Sequence, residues 1–129
     1  MTEAEQDRII RGFFAWIEHA RDGFPSGPDS TGLDDSFDEV VLMARDDPES
    51  LWPIIGRMVE EAPDKHHLVT VGAAPMEDLL WFHGPAFVDR IEAAAQEDPR
   101  FREALRQVLG WDSPIAPDVA ERLRPYLDA

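Results

Sequence analysis

The chain has 129 residues and a formal net charge of −15, and 43% of its residues are hydrophobic. A chain of this length buries roughly two thirds of its unfolded surface, so we expect a single domain over residues 1–129 with a real core. The absence of cysteine excludes disulfides, thiolate zinc sites and cysteine nucleophiles. The acidic balance disfavours nucleic acids and anionic membranes as partners, because binding either draws on surplus Lys and Arg.

No signal-like segment follows Met1 and no apolar run reaches about 18 residues, so we expect a cytoplasmic protein. The chain contains no phosphate-binding loop, no dinucleotide fingerprint and no nucleophile-elbow motif. We therefore expect no cofactor and favour a protein without enzymatic activity, and the sequence leaves the oligomeric state open.

Hydrophobic periodicity predicts an all-α fold, a compact bundle of about six to seven helices. Thr2-Glu3-Ala4-Glu5 has the form of a capping box and predicts a first helix over residues 3–21. Residues 22–35 are rich in Gly, Pro and Ser and predict a loop. Ser36-Phe37-Asp38-Glu39 is a second capping box, which predicts that the second helix begins there.

Two Asp-Pro pairs, Asp47-Pro48 and Asp98-Pro99, predict helix restarts with Asp as the N-cap and Pro at the first helical position. Asp64 is a further candidate cap, and we expect a short helix over residues 67–74. Pro75 is predicted to begin the next helix, and Gly84-Pro85 to end it. A last short helix carries Val119, Leu123 and Leu127.

The layout of residues 37–63 is repeated in residues 87–114. Each segment has a Phe, about a dozen residues of helical pattern, Asp-Pro, a second amphipathic helix and a further proline. The interval of about 50 residues predicts HEAT-like antiparallel helix pairs, stacked so that they bury one continuous core. The alternative is a general helical bundle in which the similarity is accidental.

Acidic residues are concentrated in residues 22–49, which hold nine acids against one base. They predict either a solvated, solubilising surface or a docking face for a basic partner. The residues of the candidate face are Asp29, Asp34, Asp35, Asp38, Glu39, Asp46, Asp47 and Glu49.

Glu77, Asp78 and His83 are the most prominent candidates for catalysis. On one helix Asp78 and His83 would lie about 140 degrees apart and Glu77 and His83 about 120 degrees apart, so neither pair shares a face. Their positions fit helix capping better, with the two acids in the first turn of a helix and His83 in its last turn.

The alternative function is a metal-binding protein or a metal-dependent enzyme, with His66, His67, Glu77, Asp78 and His83 as ligands contributed by two consecutive helices. The four tryptophans, by contrast, lie on or beside apolar helical faces and predict core packing rather than base stacking. Arg100, Arg102 and Arg106 are expected to pair with acids such as Asp98 and Glu103, with a partner contact as the alternative.

Several motifs together resemble a family of small bacterial proteins of unknown function. The residues that carry the resemblance are Asp47-Pro48, Leu51-Trp52, the stretch from Gly72 to Leu80, His83-Gly84, the stretch from Phe87 to Glu92, Asp98-Pro99-Arg100-Phe101-Arg102 and Ala104-Leu105. The family is marked by G-P-L-E-D-L-L, H-G, F-I-D-R-I-E and D-P-R-F-R. Its signature residues here are Pro75, Glu77, Asp78, His83 and Gly84, while Ala74 and Met76 depart from the pattern.

The resemblance spans about residues 40–111, so the first helix, the acidic loop and the tail lie outside it. It implies a helical fold and brings no catalytic residue with it. We therefore expect a cytoplasmic protein-binding module, with an acidic immunity or inhibitor protein that covers a basic enzyme as its concrete form.

Overall fold

In the computed structural model, residues 1–20, 33–111 and 115–127 are described, and the fold that they form is all-α. The helices are α1 (Glu3–Ala20), α2 (Leu33–Asp46), α3 (Pro48–Glu61), α4 (Lys65–Val71), α5 (Glu77–Glu97), α6 (Pro99–Leu105) and α7 (Pro117–Leu127), with a π-helical turn at Gly72–Met76. Among these residues no helix is long and apolar enough to cross a membrane.

The Thr2 cap of the first helix forms as predicted, but the second capping box does not begin a helix. The Thr2 hydroxyl accepts a hydrogen bond from the Glu5 backbone N–H at 3.1 Å, and α1 follows directly. Helix α2 already begins at Leu33, so Ser36 lies inside it. The last three residues of the loop predicted over 22–35 are therefore helical. The rest of that loop lies outside the described residues.

Both Asp-Pro pairs begin helices, because proline costs nothing at a position whose N–H has no intrahelical acceptor. The Asp98 carboxylate accepts the Arg100 N–H at 2.9 Å and caps α6, whereas the Asp47 side chain makes no such bond at the start of α3.

Helix α6 has 7 residues against 14 in α3, so the second half of the apparent repeat is shorter than the first. The HEAT-like pairing stays a prediction.

The predicted break at Pro75 is absent, because α4 passes through the π-helical turn into α5 with helical backbone angles on both sides. Proline cannot donate to the carbonyl four residues earlier, and a widened turn accommodates that loss. The predicted end at Gly84-Pro85, by contrast, is confirmed to within a residue, because the backbone leaves the helical conformation at His83 and a second helical segment follows it. Helix α5 is kinked at His83 (φ −139°, ψ 25°), just before Pro85, and continues to Glu97.

One buried apolar cluster joins all seven helices, with Phe13, Leu51, Leu80, Phe87 and Leu105 among its fully buried members. Helix α2 packs against α1, α3 and α5, and α5 also packs against α6 and α7. The π-helical turn crosses α6 so closely that a Cβ atom on Gly72 would overlap the Ala104 carbonyl group. Glycine is therefore required at this crossing.

Candidate protein-binding surface

Five of the eight predicted acidic-face residues line one groove along the outer side of α2. The groove has a volume of about 510 Å³, and its lining consists of Asp35, Asp38, Glu39, Leu42, Met43, Asp46 and Asp47. The spacing of three to four residues places most of these side chains on one side of the helix. Leu42 is 49% exposed, so the carboxylates surround an accessible apolar side chain.

Two groove carboxylates are already paired within the chain. Arg8 makes a bidentate contact with Glu39 at 3.1 and 3.2 Å, and Arg45 does the same with Asp46 at 2.9 Å for both bonds. The hydrogen bond from Arg45 lowers the pKa of Asp46 below its usual range. Within the described residues no arginine, lysine or histidine pairs with Asp35, Asp38 or Asp47, so their charges face solvent.

The other predicted acidic-face residues lie elsewhere. Glu49 is on α3 and binds Arg90 of α5 through two hydrogen bonds of 2.8 and 3.0 Å, while the Arg90 guanidinium lies 4.6 Å from the centre of the Phe87 ring. Arg90 lowers the pKa of Glu49, chiefly through these hydrogen bonds. Glu49 therefore ties α3 to α5. Asp29 and the side chain of Asp34 lie outside the described residues.

His83 caps a helix, but not its own. Its Nε2–H donates to the backbone carbonyl of Arg45 at 2.8 Å, in the last turn of α2. The carbonyls at the end of a helix have no intrahelical donor, and a side-chain donor from elsewhere can satisfy them. His83 thus fixes the end of the helix that carries the groove.

Glu77 and Asp78 do not occupy a free helix N-terminus, because the π-helical turn precedes them. Glu77 Oε1 instead accepts the backbone N–H of Leu109 at 2.8 Å, which ties α5 to the segment after α6. Asp78 is half-buried, and burial raises its pKa to about 6, with the neighbouring Glu77 charge adding to the effect. Glu77, Asp78 and His83 therefore have separate surroundings and form no common catalytic centre.

The histidines of the alternative metal site are likewise dispersed. His67 is buried, and its Nδ1 lies 2.6 Å from Asp64 Oδ1, which also accepts the His67 backbone N–H at 2.9 Å. Its Nε2 lies 3.4 Å from a carboxylate oxygen of Glu18. His66 is exposed on the same helix. The described part of the chain contains no group of three or more His, Asp or Glu side chains that could hold a metal ion.

Three arginines cap helices instead of pairing with the acids expected for them. Arg100 donates to the Val59 and Ala62 carbonyls at the end of α3, at 3.1 and 2.9 Å. Arg102 donates to the Ala95 carbonyl near the end of α5 at 2.6 Å, and Arg106 to Leu127 at the end of α7 at 3.1 Å. These three arginines, which extend along α6 to its C-cap, are therefore structural.

Core packing is confirmed for Trp16, Trp52 and Trp111, which lie partly buried against the core. It is wrong for Trp81, which is 54% exposed, and the neighbouring Phe82 is 39% exposed. The signal was present in the sequence. Four consecutive apolar residues, Leu79 to Phe82, extend almost around a helix at about 100 degrees each, so they cannot all face one core.

Fold and surface together define a small all-α bundle with an acidic groove on one helix. The chain belongs to DUF6869, a family of unknown function, whose model matches residues 29–128. This match includes all of α2 and α7 and so extends well beyond residues 40–111, where the motifs lie. Searches of curated proteins and of solved structures gave no match.

Proposed function

We propose that this protein is a non-enzymatic, cytoplasmic protein-binding module, and that the α2 groove binds a basic amphipathic helix of its partner. The observation that carries the proposal is the exposed Leu42 side chain beside Met43, surrounded by five carboxylates in one groove. An immunity or inhibitor protein that covers a basic enzyme is the concrete form. Nucleic acid is not the proposed ligand, because the chain carries a net charge of −15.

The two chemical parts of the groove have different roles in this proposal. Leu42 is exposed and offers apolar surface, whose burial supplies affinity and favours a helix with one apolar side, while the neighbouring Met43 is 9% exposed and belongs to the core. Asp35 and Asp38 have no cation beside them within the described residues, so a lysine or arginine of the partner would give each a new ion pair. Carboxylates around an apolar centre also accelerate encounter with a basic protein.

The helix that carries the groove is held in its middle and at its C-terminal end. Arg8 of α1 binds Glu39 in its middle, and His83 of α5 binds its last turn. A surface that needs no rearrangement loses less entropy on binding. If the two helix pairs stack as predicted for a HEAT-like fold, the groove lies on one of the long surfaces that such folds use for binding.

A synthetic peptide tests the proposal directly. The probe is an amphipathic Leu/Lys helix of 14 residues, the length of α2, and the reference peptide has the same composition in a scrambled order. We expect the amphipathic peptide to bind at least about tenfold more tightly than the scrambled one in calorimetric titrations, because only it presents a continuous apolar side. Its affinity should fall as salt is added, since screening weakens exposed charge pairs.

Groove variants locate the binding. Leu42→Ala and the double substitution Asp35→Asn/Asp38→Asn should each weaken the amphipathic peptide roughly fivefold or more. The matched charge control is Glu60→Gln/Glu97→Gln, which removes two exposed carboxylates from α3 and α5 away from the groove. Equal binding of both peptides, or equal losses in groove and control variants, would refute the proposal.

A further inference from the structure

The outer side of α5 carries two stacked aromatic side chains in contact with solvent. The rings of Trp81 and Phe82 are nearly parallel, with an interplanar angle of 5° and centroids 5.4 Å apart. They are 54% and 39% exposed, while the other tryptophans of the described residues lie partly buried against the core. Exposed aromatic surface of this kind is characteristic of binding sites.

A carboxylate stands one helical turn before this aromatic pair. Asp78 is three residues before Trp81 and four before Phe82, and side chains at these spacings are neighbours on a helix. Nothing within the described residues donates a hydrogen bond to the Asp78 side chain or forms an ion pair with it. Burial and, to a lesser extent, the adjacent Glu77 charge raise the pKa of Asp78 to about 6.

A guanidinium group suits both features of this surface. It is planar and stacks on an aromatic ring, and its N–H groups match the two oxygens of a carboxylate. The chain itself contains this combination two turns further along α5. There the Arg90 guanidinium lies 4.6 Å from the centre of the Phe87 ring and binds both carboxylate oxygens of Glu49.

We propose that Asp78, Trp81 and Phe82 form a binding surface for an arginine side chain of a partner protein. The guanidinium stacks on the aromatic pair while Asp78 binds its N–H groups. This inference deepens the proposed function, and rests on it in so far as the chain binds a basic protein.

The arginine surface lies close to the groove. The Phe82 and His83 rings are 6.5 Å apart, and His83 binds the carbonyl of Arg45, the residue before the groove residue Asp46. A partner helix in the groove can therefore place an arginine at or just beyond its end on the Trp81–Phe82 pair. Arginine, rather than lysine, is the residue expected there.

The test uses a short capped Gly/Arg peptide as the probe, with lysine and citrulline versions of it as references. Citrulline keeps the shape of arginine and removes its charge. The readout is the indole N–H resonance of Trp81, assigned with the Trp81→Phe variant. We expect the arginine peptide to shift this resonance and to bind about threefold or more tightly than the lysine peptide. The citrulline peptide should leave the resonance almost unchanged.

Three variants decide between this surface and unspecific charge attraction. Asp78→Asn and Trp81→Ala should each weaken the arginine peptide about fivefold, whereas Asp35→Asn/Asp38→Asn should leave it nearly unchanged. All four altered positions are at least partly exposed, so the fold should survive. Equal affinities for arginine and lysine, or an unchanged affinity in Asp78→Asn, would overturn the proposal.

The arginine probe also separates the two proposals. If the amphipathic peptide fails to bind while the arginine peptide behaves as expected, the groove assignment fails and the arginine surface stands. The reverse pattern removes the arginine surface alone.

Discussion

His83 Nε2 lies 2.8 Å from the backbone carbonyl oxygen of Arg45 and joins the kink of α5 to the last turn of α2. A carbonyl can only accept, so Nε2 carries the proton. The kink turns the imidazole out of its own helix and towards another one. The local break in α5 thus has a structural use, because it provides the donor that α2 lacks at its end.

His83→Ala should therefore lower the free energy of unfolding by about 1 kcal/mol, the usual cost of losing one hydrogen bond of this kind. The loss should be accompanied by faster amide exchange in the last turn of α2. Urea unfolding and hydrogen exchange measure the two effects. His66→Ala is the control, since the His66 side chain is exposed, and a similar loss in that variant would contradict the capping role.

Gly72→Ala should destabilise the fold by about 2 kcal/mol or more, because the added methyl group would overlap the Ala104 carbonyl and force the π-helical turn away from α6. Gly56→Ala is the matched substitution within a helix. Nothing lies within 4 Å of a Cβ atom at Gly56, so alanine should there raise the free energy of unfolding by about 0.5–1 kcal/mol. Opposite signs in chemical denaturation are the expected result, and a stable Gly72→Ala variant would mean that the crossing can open.

The helix starts and the passage through Pro75 show which features of the fold the sequence could predict and which it could not. The helix starts at Pro48 and Pro99 were predictable, because an Asp-Pro pair acts on its own first turn. The passage through Pro75 was not, because a π-helical turn accommodates the proline, and the close crossing of this turn with Ala104 joins two distant segments. Local chemistry is visible in sequence, whereas contacts between distant segments are not.

The acidic groove was predicted in part for the same reason. Charge density in the sequence indicated Asp35, Asp38 and Asp46, but it could not distinguish them from Glu49, which binds Arg90 on another helix. The capping roles of His83, Arg100, Arg102 and Arg106 also join different helices. For His83 and Arg100 the two partners lie about 40 positions apart in the chain. Only the exposure of Trp81 was available from helical geometry alone.

Arg100→Met should lower the free energy of unfolding by about 1–2 kcal/mol, since it removes both hydrogen bonds to the end of α3 while keeping most of the apolar stem. Arg124→Met serves as the control, because Arg124 is exposed on α7. Thermal and chemical unfolding of the two variants provide the comparison. Equal effects would show that the Arg100 bonds to Val59 and Ala62 contribute nothing to stability.

Asp64→Ala should lower the free energy of unfolding by about 1–3 kcal/mol, because one carboxylate oxygen both caps α4 and binds the buried His67 ring. Loss of that oxygen leaves Nδ1 of a buried imidazole without its acceptor. Glu18→Ala removes the more distant carboxylate, 3.4 Å from Nε2 and largely exposed, and should cost much less. A larger loss for Glu18→Ala than for Asp64→Ala would reverse the assigned roles.

Asp78→Asn should make the protein more stable at neutral pH, and the effect should vanish in acid. The pKa of Asp78 is about 6 in the folded protein against 3.8 without its surroundings, so between these values the folded state holds a proton that the unfolded state has lost. Hence this residue lowers the free energy of unfolding as the pH rises from about 4 to about 6. Because Asp78 is only half-buried, solvent screening reduces the effect to about 1 kcal/mol.

The measurement is the difference in unfolding free energy between Asp78→Asn and the unaltered chain at pH 4 and pH 7, in which the other titrating groups cancel. Asp46→Asn is the control, since Arg45 lowers the pKa of Asp46 and removing that carboxylate should give no gain at neutral pH. A pH-independent difference for Asp78→Asn would contradict the assignment. We expect Asp78→Asn to combine a gain in stability with weaker arginine-peptide binding. That combination would mean that Asp78 is retained for binding at the expense of stability, as expected for a functional site.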